Sequence, residues 1–433
     1  MINKPVVSKE VLWPFILITS LFALWGFANA VTDPMVTAFK KVLELNNFQA
    51  SLVQMAFYGG YFTMALPASM FIRKYSYKVG VLIGLALYAT GALLFYPAAV
   101  TQQFGFFLIG LYILTFGLAF LETTANPYIL SMGAEETATQ RLNLAQAFNP
   151  VGLLAGLLVA QQFVLRKLQS DDVDFASLSD AAKATIRQTD LLVIRDPYVI
   201  LGLAVVLIFV LILVNKMPET KDSETQLSTF QVIGHLVRKA QYAQGVLAQV
   251  FYVGAQIMCW TYIYQYAEAI GISAEDAGDY QFVAFVIFFL GRFICTFLLK
   301  YIDAGKLLTL LSGLAILFTL GVIFIQGIYG LYALVMISFC MSLMFPTIYG
   351  IALEGLTEDE SKIGAAGLVM AIVGGALMPA LQGLVLDIGG PGYTDLDGIP
   401  EVNLSFFLPL ICFLFISIYG YRVMKHKQKS YVI

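Results

Sequence analysis

The chain is 433 residues long, 59% hydrophobic and 12% charged, with a mean hydropathy of +0.80 and a formal net charge of -3. A soluble domain carries roughly 25% charged residues, so this composition leaves too little polar surface for a water-soluble fold. With no basic run interleaved with aromatics, it also excludes a nucleic-acid-binding surface.

Twelve apolar stretches, each about 20 residues and so long enough to cross a hydrocarbon core, lie near 11–33, 48–72, 79–97, 104–131, 142–165, 198–215, 246–269, 280–299, 307–325, 331–353, 363–386 and 404–423. The pattern predicts an all-α integral membrane protein with twelve transmembrane helices in two six-helix halves. The first stretch lacks a small-residue cleavage site and leads straight into the rest, so it reads as a span and not as a signal peptide. Within it, "FALWGFANAVTDPM" sets Trp25, Asn29 and Asp33 at four-residue intervals, placing an aromatic plate, an amide and an acid on one helical stripe. Asp33 precedes a proline and could end the helix at the outer surface. The rhythm of "MVTAFKKVLEL" instead suits a long, tilted helix with Asp33 inside.

The fourth stretch contains "FLETTANPYIL". Glu122 falls past its middle, where an ionised carboxylate is costly, and none of the first six apolar stretches contains a Lys or Arg to pair with it. A water-filled cavity, hydrogen bonds from neighbouring helices or a bound proton would relieve the cost, and each makes Glu122 a candidate proton site. Asn126 shares its face one turn on. Pro127 then frees the carbonyl of Thr123, a break that is tolerated where a helix lines a cavity. In the fifth stretch "LNLAQAFNP" puts Gln146 and Asn149 three residues apart.

Two longer connections follow, near 166–197 and 216–245. The second divides the chain into an N-terminal half (1–215), a connector (216–245) and a C-terminal half (246–433). Gln256, Trp260 and Tyr264 form another four-residue stripe in the seventh stretch, while Tyr349 and Gln382 come from the tenth and eleventh. Neutral amides, hydroxyls and aromatic plates suit an uncharged ligand rich in hydroxyl groups. Buried amides also simply bond neighbouring helices, and the glycines, among them Gly152, Gly156, Gly374 and Gly375, suit close helix packing.

Cys259, Cys295, Cys340 and Cys412 lie unpaired in apolar stretches and read as small core hydrophobes. His235 and His426, the two histidines, sit in polar segments, so a metal site or a Ser-His pair has almost no material. No cofactor, metal or obligate protein partner is expected, nor an enzyme. Basic residues are retained on the cytoplasmic side. Seventeen of the 25 Lys and Arg fall in the even-numbered gaps and the two termini, against seven in the odd-numbered gaps, so both termini are expected in the cytoplasm.

Six plus six spans around a cytoplasmic connector resemble the plan of the major facilitator superfamily, whose halves rock about a midplane site. "GRFICTFLLKYIDAGKLL" is similar to that superfamily's loop motif, with Gly291, Arg292 and Lys306 in the expected relation; "FIRKYSYKVG" keeps the basic cluster without the usual glycine and aspartate. "FLETTANPY", "RLNLAQAFNP", "FYVGAQ", "FPTIYG" and "VMAIVGGALMPALQG" resemble signatures of the fucose permease group of sugar:proton symporters across essentially the whole chain. That resemblance implies symport of L-fucose with protons across a bacterial inner membrane. Asp33 would be the proton-coupling acid, Glu122 would link protonation to sugar binding, and Trp25, Gln146, Asn149 and Trp260 would line the cavity. Ala30 stands where the group often has asparagine, and Asn29 is next to it. A carrier of glucose or galactose, and an exporter of lipophilic compounds, are the alternatives. The exporter would line its cavity with apolar residues instead of these amides.

Overall fold

The computed structural model describes residues 5–44, 47–171, 178–218, 228–386, 395–396 and 398–430. Nearly all are helical. In chain order the helices are α1 (Leu12–Val42), α2 (Asn47–Lys74), α3 (Tyr77–Leu93), α4 (Phe95–Thr101), α5 (Phe104–Ser131), α6 (Ala138–Gln146), α7 (Asn149–Val159), α8 (Asp180–Val214), α9 (Thr229–Arg238) and α10 (Ala240–Thr261). They continue as α11 (Ile263–Ala269), α12 (Ala274–Leu298), α13 (Ala304–Phe324), α14 (Ile328–Met341), α15 (Met344–Leu353), α16 (Glu358–Met370), α17 (Gly374–Leu386), α18 (Glu401–Ser405) and α19 (Phe407–Ser430). A two-residue antiparallel ladder, Asp395–Leu396 with Ile399–Pro400, is the sheet among the described residues.

Several of these helices are one membrane span interrupted. α3 runs into α4, α6 into α7, α10 into α11, α14 into α15 and α16 into α17, and eleven of the resulting spans are long and apolar enough to cross a bilayer. α2, 28 residues long, makes the twelfth. The break between α6 and α7 has a simple cause in Pro150, which stands at the start of α7 and has no N–H to donate to the preceding turn. Helix ends are closed by side chains, as sequence chemistry demands. Ser76 accepts from the Val79 N–H, Asp303 accepts from the Gly305 and Lys306 N–H groups, and Ser228 and Thr357 each form a reciprocal capping box. At the other end of α8 the Lys78 ammonium donates to the carbonyls of Leu213 (3.1 Å) and Asn215 (2.8 Å), where a cation complements the helix dipole. Lys78 belongs to the basic cluster of "FIRKYSYKVG", so that cluster has a structural use.

Two features that the sequence leaves open are decided. The connection near 166–197 is largely helical, because Ser179 caps α8 at Asp180 and that helix runs unbroken to Val214. The fully buried Asp190 carboxylate takes the Gln169 and Ser170 N–H groups at 2.9 and 3.0 Å, folding the preceding chain back onto the helix. At the start of the chain α1 continues past Asp33 for a total of 31 residues, about 46 Å at 1.5 Å per residue, so Asp33 does not end the helix.

The helices gather into two compact units, one comprising 7–132 and 148–224, the other 1–6, 133–147 and 225–433. In the first, α1 packs on α7, α2 and α3 on α5, and α3 on α8. In the second, α10 packs on α17, α12 and α13 on α14, and α13 on α19. Taking the spans in order, the same four pairings occur in both units, which is the internal duplication that the six-plus-six count implies. The glycines repeat it too. A Cβ on Gly152 would collide with the Ala23 carbonyl of α1, and one on Gly374 with the Val250 carbonyl of α10, so first and fifth spans of each unit touch backbone to backbone. The second unit also holds α6, which packs on α15 and α12 although it precedes α7 in the chain.

Candidate functional site

In the first unit the polar side chains converge on α1, α5 and α7. Glu122 is half-buried on α5, and among the described residues no hydrogen bond or ion pair reaches its carboxylate. The phenol of Tyr61, 4% exposed on α2, lies within electrostatic range of it. Asn126, one turn further, is wholly buried, and its amide donates to the Glu122 carbonyl at 2.9 Å. Thr123 and Thr124 are spent in the same way on the carbonyls of Ala119 and Phe120. The two threonine hydroxyls and the Asn126 amide N–H thus bond back along the helix axis, while the Glu122 carboxylate has no such bond among the described residues.

Trp25 is 3% exposed, its indole N–H donates to the Leu118 carbonyl of α5 at 3.2 Å, and its ring tilts against Phe22 at 4.9 Å. Asn149 is half-buried and its amide reaches the Phe22 carbonyl at 3.2 Å. Both side chains thus fasten α1 to its neighbours. Asn29, by contrast, is exposed on α1. The side chain of Asp33 lies outside the described residues.

In the second unit a neutral network surrounds α10 and α11. Trp260 donates its indole N–H to the Ser338 hydroxyl at 3.1 Å and is met edge-on by Phe285 and Phe288 at 4.8 and 5.1 Å. Gln281 of α12 ties this residue to the next member of the stripe. Its amide N–H donates to the Trp260 carbonyl at 3.4 Å, and its carbonyl oxygen accepts from the Tyr264 hydroxyl at 2.9 Å. Gln256 is half-buried on the same helix. Gln382 is wholly buried and donates to the Ser405 hydroxyl at 2.9 Å, and Tyr349, also buried, stacks on Phe345 at 6.3 Å. Gln146 is 5% exposed at the end of α6, and its carbonyl receives the Arg292 guanidinium at 3.4 Å. Beside it Asn143 donates to the Thr347 hydroxyl of α15 at 3.1 Å.

The chain matches the profile of the Major Facilitator Superfamily over residues 15–379. It belongs to that superfamily. It is 56% identical to the L-fucose-proton symporter of Haemophilus influenzae across 98% of this chain and 99% of that protein. The glucose/galactose transporter of Brucella abortus is 32% identical across 93% of this chain and 92% of its own length. Among solved structures, FucP, a transporter of the superfamily in the outward conformation, superposes with a TM-score of 0.87 at 35% identity, covering 96% of this chain and 99% of that one. Membership in the superfamily accounts for the repeated pairing scheme, since its two halves are packed by the same rule.

The sequence reading passed over Gln281, Tyr61, Asn143 and Thr347. Gln281 had a visible signal, an amide in the apolar run "DYQFVAFVIFF", but no polar neighbour at helical spacing to draw attention to it. Tyr61 had none, because tyrosines are common throughout these spans.

Proposed function

We propose that the protein is an L-fucose:proton symporter of a bacterial inner membrane, with both termini in the cytoplasm. The observation that carries the reading is 56% identity, over 98% of the chain, to a protein that transports L-fucose with protons. The site chemistry fits it. A sugar needs neutral donors, acceptors and aromatic faces, which the residues around Trp260, Gln256 and Tyr264 supply. A coupled proton needs an acid that no fixed cation neutralises, which Glu122 supplies.

The mechanism follows from electrostatics. With Glu122 and Asp33 each protonated, sugar hydroxyls bond the amides and acids, and the loaded carrier can rearrange without carrying an uncompensated charge through the bilayer. Inside, at higher pH, the proton leaves, sugar affinity falls and both are released. Proton and sugar must strengthen each other's binding by the same factor, because linkage is reciprocal. In this scheme Asp33 exchanges the coupled proton and Glu122 joins its binding to that of the sugar. Asn29, Asn126 and Asn149 of the first unit and Gln146, Tyr349 and Gln382 of the second are the further sugar-binding candidates, either by touching sugar or by fixing the helices that do.

The test is uptake of radiolabelled L-fucose into proteoliposomes with and without an inward proton gradient. Accumulation above the external concentration is expected only with the gradient, and unlabelled L-fucose should suppress it. Glucose and galactose are the second reading, favoured by the relative at 32% identity. Suppression by either of them with none by L-fucose would replace the substrate and leave the coupling scheme standing.

A further inference from the structure

At the end of α19 the structure has a cavity of about 470 Å³ lined by none of the residues proposed for sugar or proton. It opens between α13 and α19 and is lined by Arg422, Lys425 and His426 together with Thr309, Ser417 and Tyr421. Among the described residues, neither Arg422 nor Lys425 has a hydrogen bond or an ion pair, and both are exposed. Asp303 at the start of α13 is occupied in capping that helix, accepting the Gly305 and Lys306 N–H groups, and is not part of the lining. The stretch "YRVMKHKQK", 421–429, contains no acid, so nothing local in the sequence neutralises it.

Exposed apolar side chains lead away from the cavity on both helices. Ile411, Leu414 and Ile418 of α19 are 55%, 44% and 50% exposed, spaced so that they form one stripe leading to Tyr421, and Ile418 itself lines the cavity. Leu310, Leu314 and Leu317 form an exposed stripe on α13, the helix on which α19 packs. The two helices approach closely at small residues: a Cβ on Gly420 would stand 2.8 Å from the Thr309 hydroxyl and 3.2 Å from the Gly305 carbonyl. The result is a basic mouth, hydroxyl donors beside it, and exposed apolar side chains along both helices.

We propose that this is a binding site for an anionic phospholipid of the cytoplasmic leaflet. Its phosphodiester headgroup would be held by Arg422, Lys425 and His426, with one acyl chain along the exposed apolar side chains of α13 and α19. Phosphate oxygens match the guanidinium fork and the ammonium, and basic clusters at the cytoplasmic end of a span attract anionic lipid. The leaflet assignment rests on the orientation proposed above, whereas the headgroup chemistry does not.

Native mass spectrometry of the purified protein with phosphatidylglycerol added, compared with phosphatidylethanolamine, tests the site. Each basic group near an anionic surface is worth about fivefold in affinity, so the double variant Arg422→Gln/Lys425→Gln should hold phosphatidylglycerol about 25-fold more weakly than wild type. Lys300→Gln, which removes an exposed charge elsewhere, should bind as wild type does. Equal retention by the double variant and wild type overturns the proposal, as does equal retention of the two lipids. Displacement by millimolar inorganic phosphate would overturn the lipid as occupant in favour of a free-anion site. Wild type that prefers phosphatidylglycerol but takes up no L-fucose would fault the transport reading alone, and wild type that takes up L-fucose but retains the two lipids equally would fault this proposal alone.

Discussion

The surroundings of Glu122 and of Trp260 are built on opposite principles. Around Trp260 the polar groups are neutral and tied to one another: indole to Ser338, carbonyl to Gln281, Gln281 to Tyr264. Around Glu122 the hydroxyls of Thr123 and Thr124 bond back along their own helix, and the carboxylate is left without a hydrogen bond or ion pair among the described residues. A closed network holds its geometry whatever the pH, so it suits a surface that must present the same face to a ligand in every cycle. An open carboxylate does the contrary, because the field around it changes each time a proton arrives or leaves. Under the proposed mechanism the two regions divide recognition from coupling.

Glu122→Gln should break this division most completely. The amide keeps the shape and removes the titration, so gradient-driven accumulation should fall to the equilibrium ratio of about one, while sugar exchange without a gradient persists. Asp33→Asn is expected to behave likewise. Accumulation that survives Glu122→Gln would mean that Glu122 does not join proton binding to sugar binding. The next largest effect concerns the scaffold shared by both regions. Gly152→Val forces a side chain against the Ala23 carbonyl and must part α1 from α7, a cost of about 1–3 kcal/mol or more for overpacking. A clear drop in melting temperature in detergent is expected, and an unchanged value would show that this backbone contact is dispensable.

That glycine also marks how far a sequence can be read. Gly152 and Gly374 were recognisable as packing residues, since small residues inside apolar spans have few other uses. Their partners were not, because Ala23 and Val250 contribute only carbonyl oxygens and nothing in a side chain announces them. Twelve spans and the buried acid were legible because hydropathy and a misplaced charge are properties of one segment at a time. Trp25 shows the limit. Its four-residue spacing with Asn29 set both on one stripe, yet the indole is 3% exposed and bonded to Leu118 while Asn29 is open. Helical periodicity reports which residues share a face, not how wide the neighbouring helix is. For the same reason Gln281 went unread: its two partners sit across a helix boundary, on α10 and α11.

A smaller effect is expected from Trp260→Phe. The substitution keeps the ring between Phe285 and Phe288 and removes the donor to Ser338, a bond of about 0.5–1.5 kcal/mol, or roughly two- to tenfold in affinity. Apparent affinity for the sugar should weaken within that range, measured as the concentration for half-maximal uptake, with the dependence on the gradient untouched. Loss of coupling in this variant would erase the distinction between the two regions.

The smallest effect lies outside both. Lys183 and Arg187 of α8 reach Glu44 at 2.7 and 2.8 Å, beyond the end of α1. The hydrogen bond from Lys183, with both charges adding to it, holds the Glu44 carboxyl below its usual value of 4.5. A carboxyl depressed in the folded state stabilises above its unfolded pKa, and that contribution fades as the pH falls through the folded value. Glu44 is 42% exposed, and solvent screening limits such a surface pair to at most about 1 kcal/mol. Lys183→Ala should therefore lower the melting temperature slightly at pH 7, and the difference from wild type should close as the pH falls through the lowered carboxyl pKa of the folded state. A difference that persists below that value would mean that Lys183 acts through packing and not through its charge. Uptake coupled to Glu122 should be indifferent to the change, since no step of proton or sugar transfer passes through this surface pair.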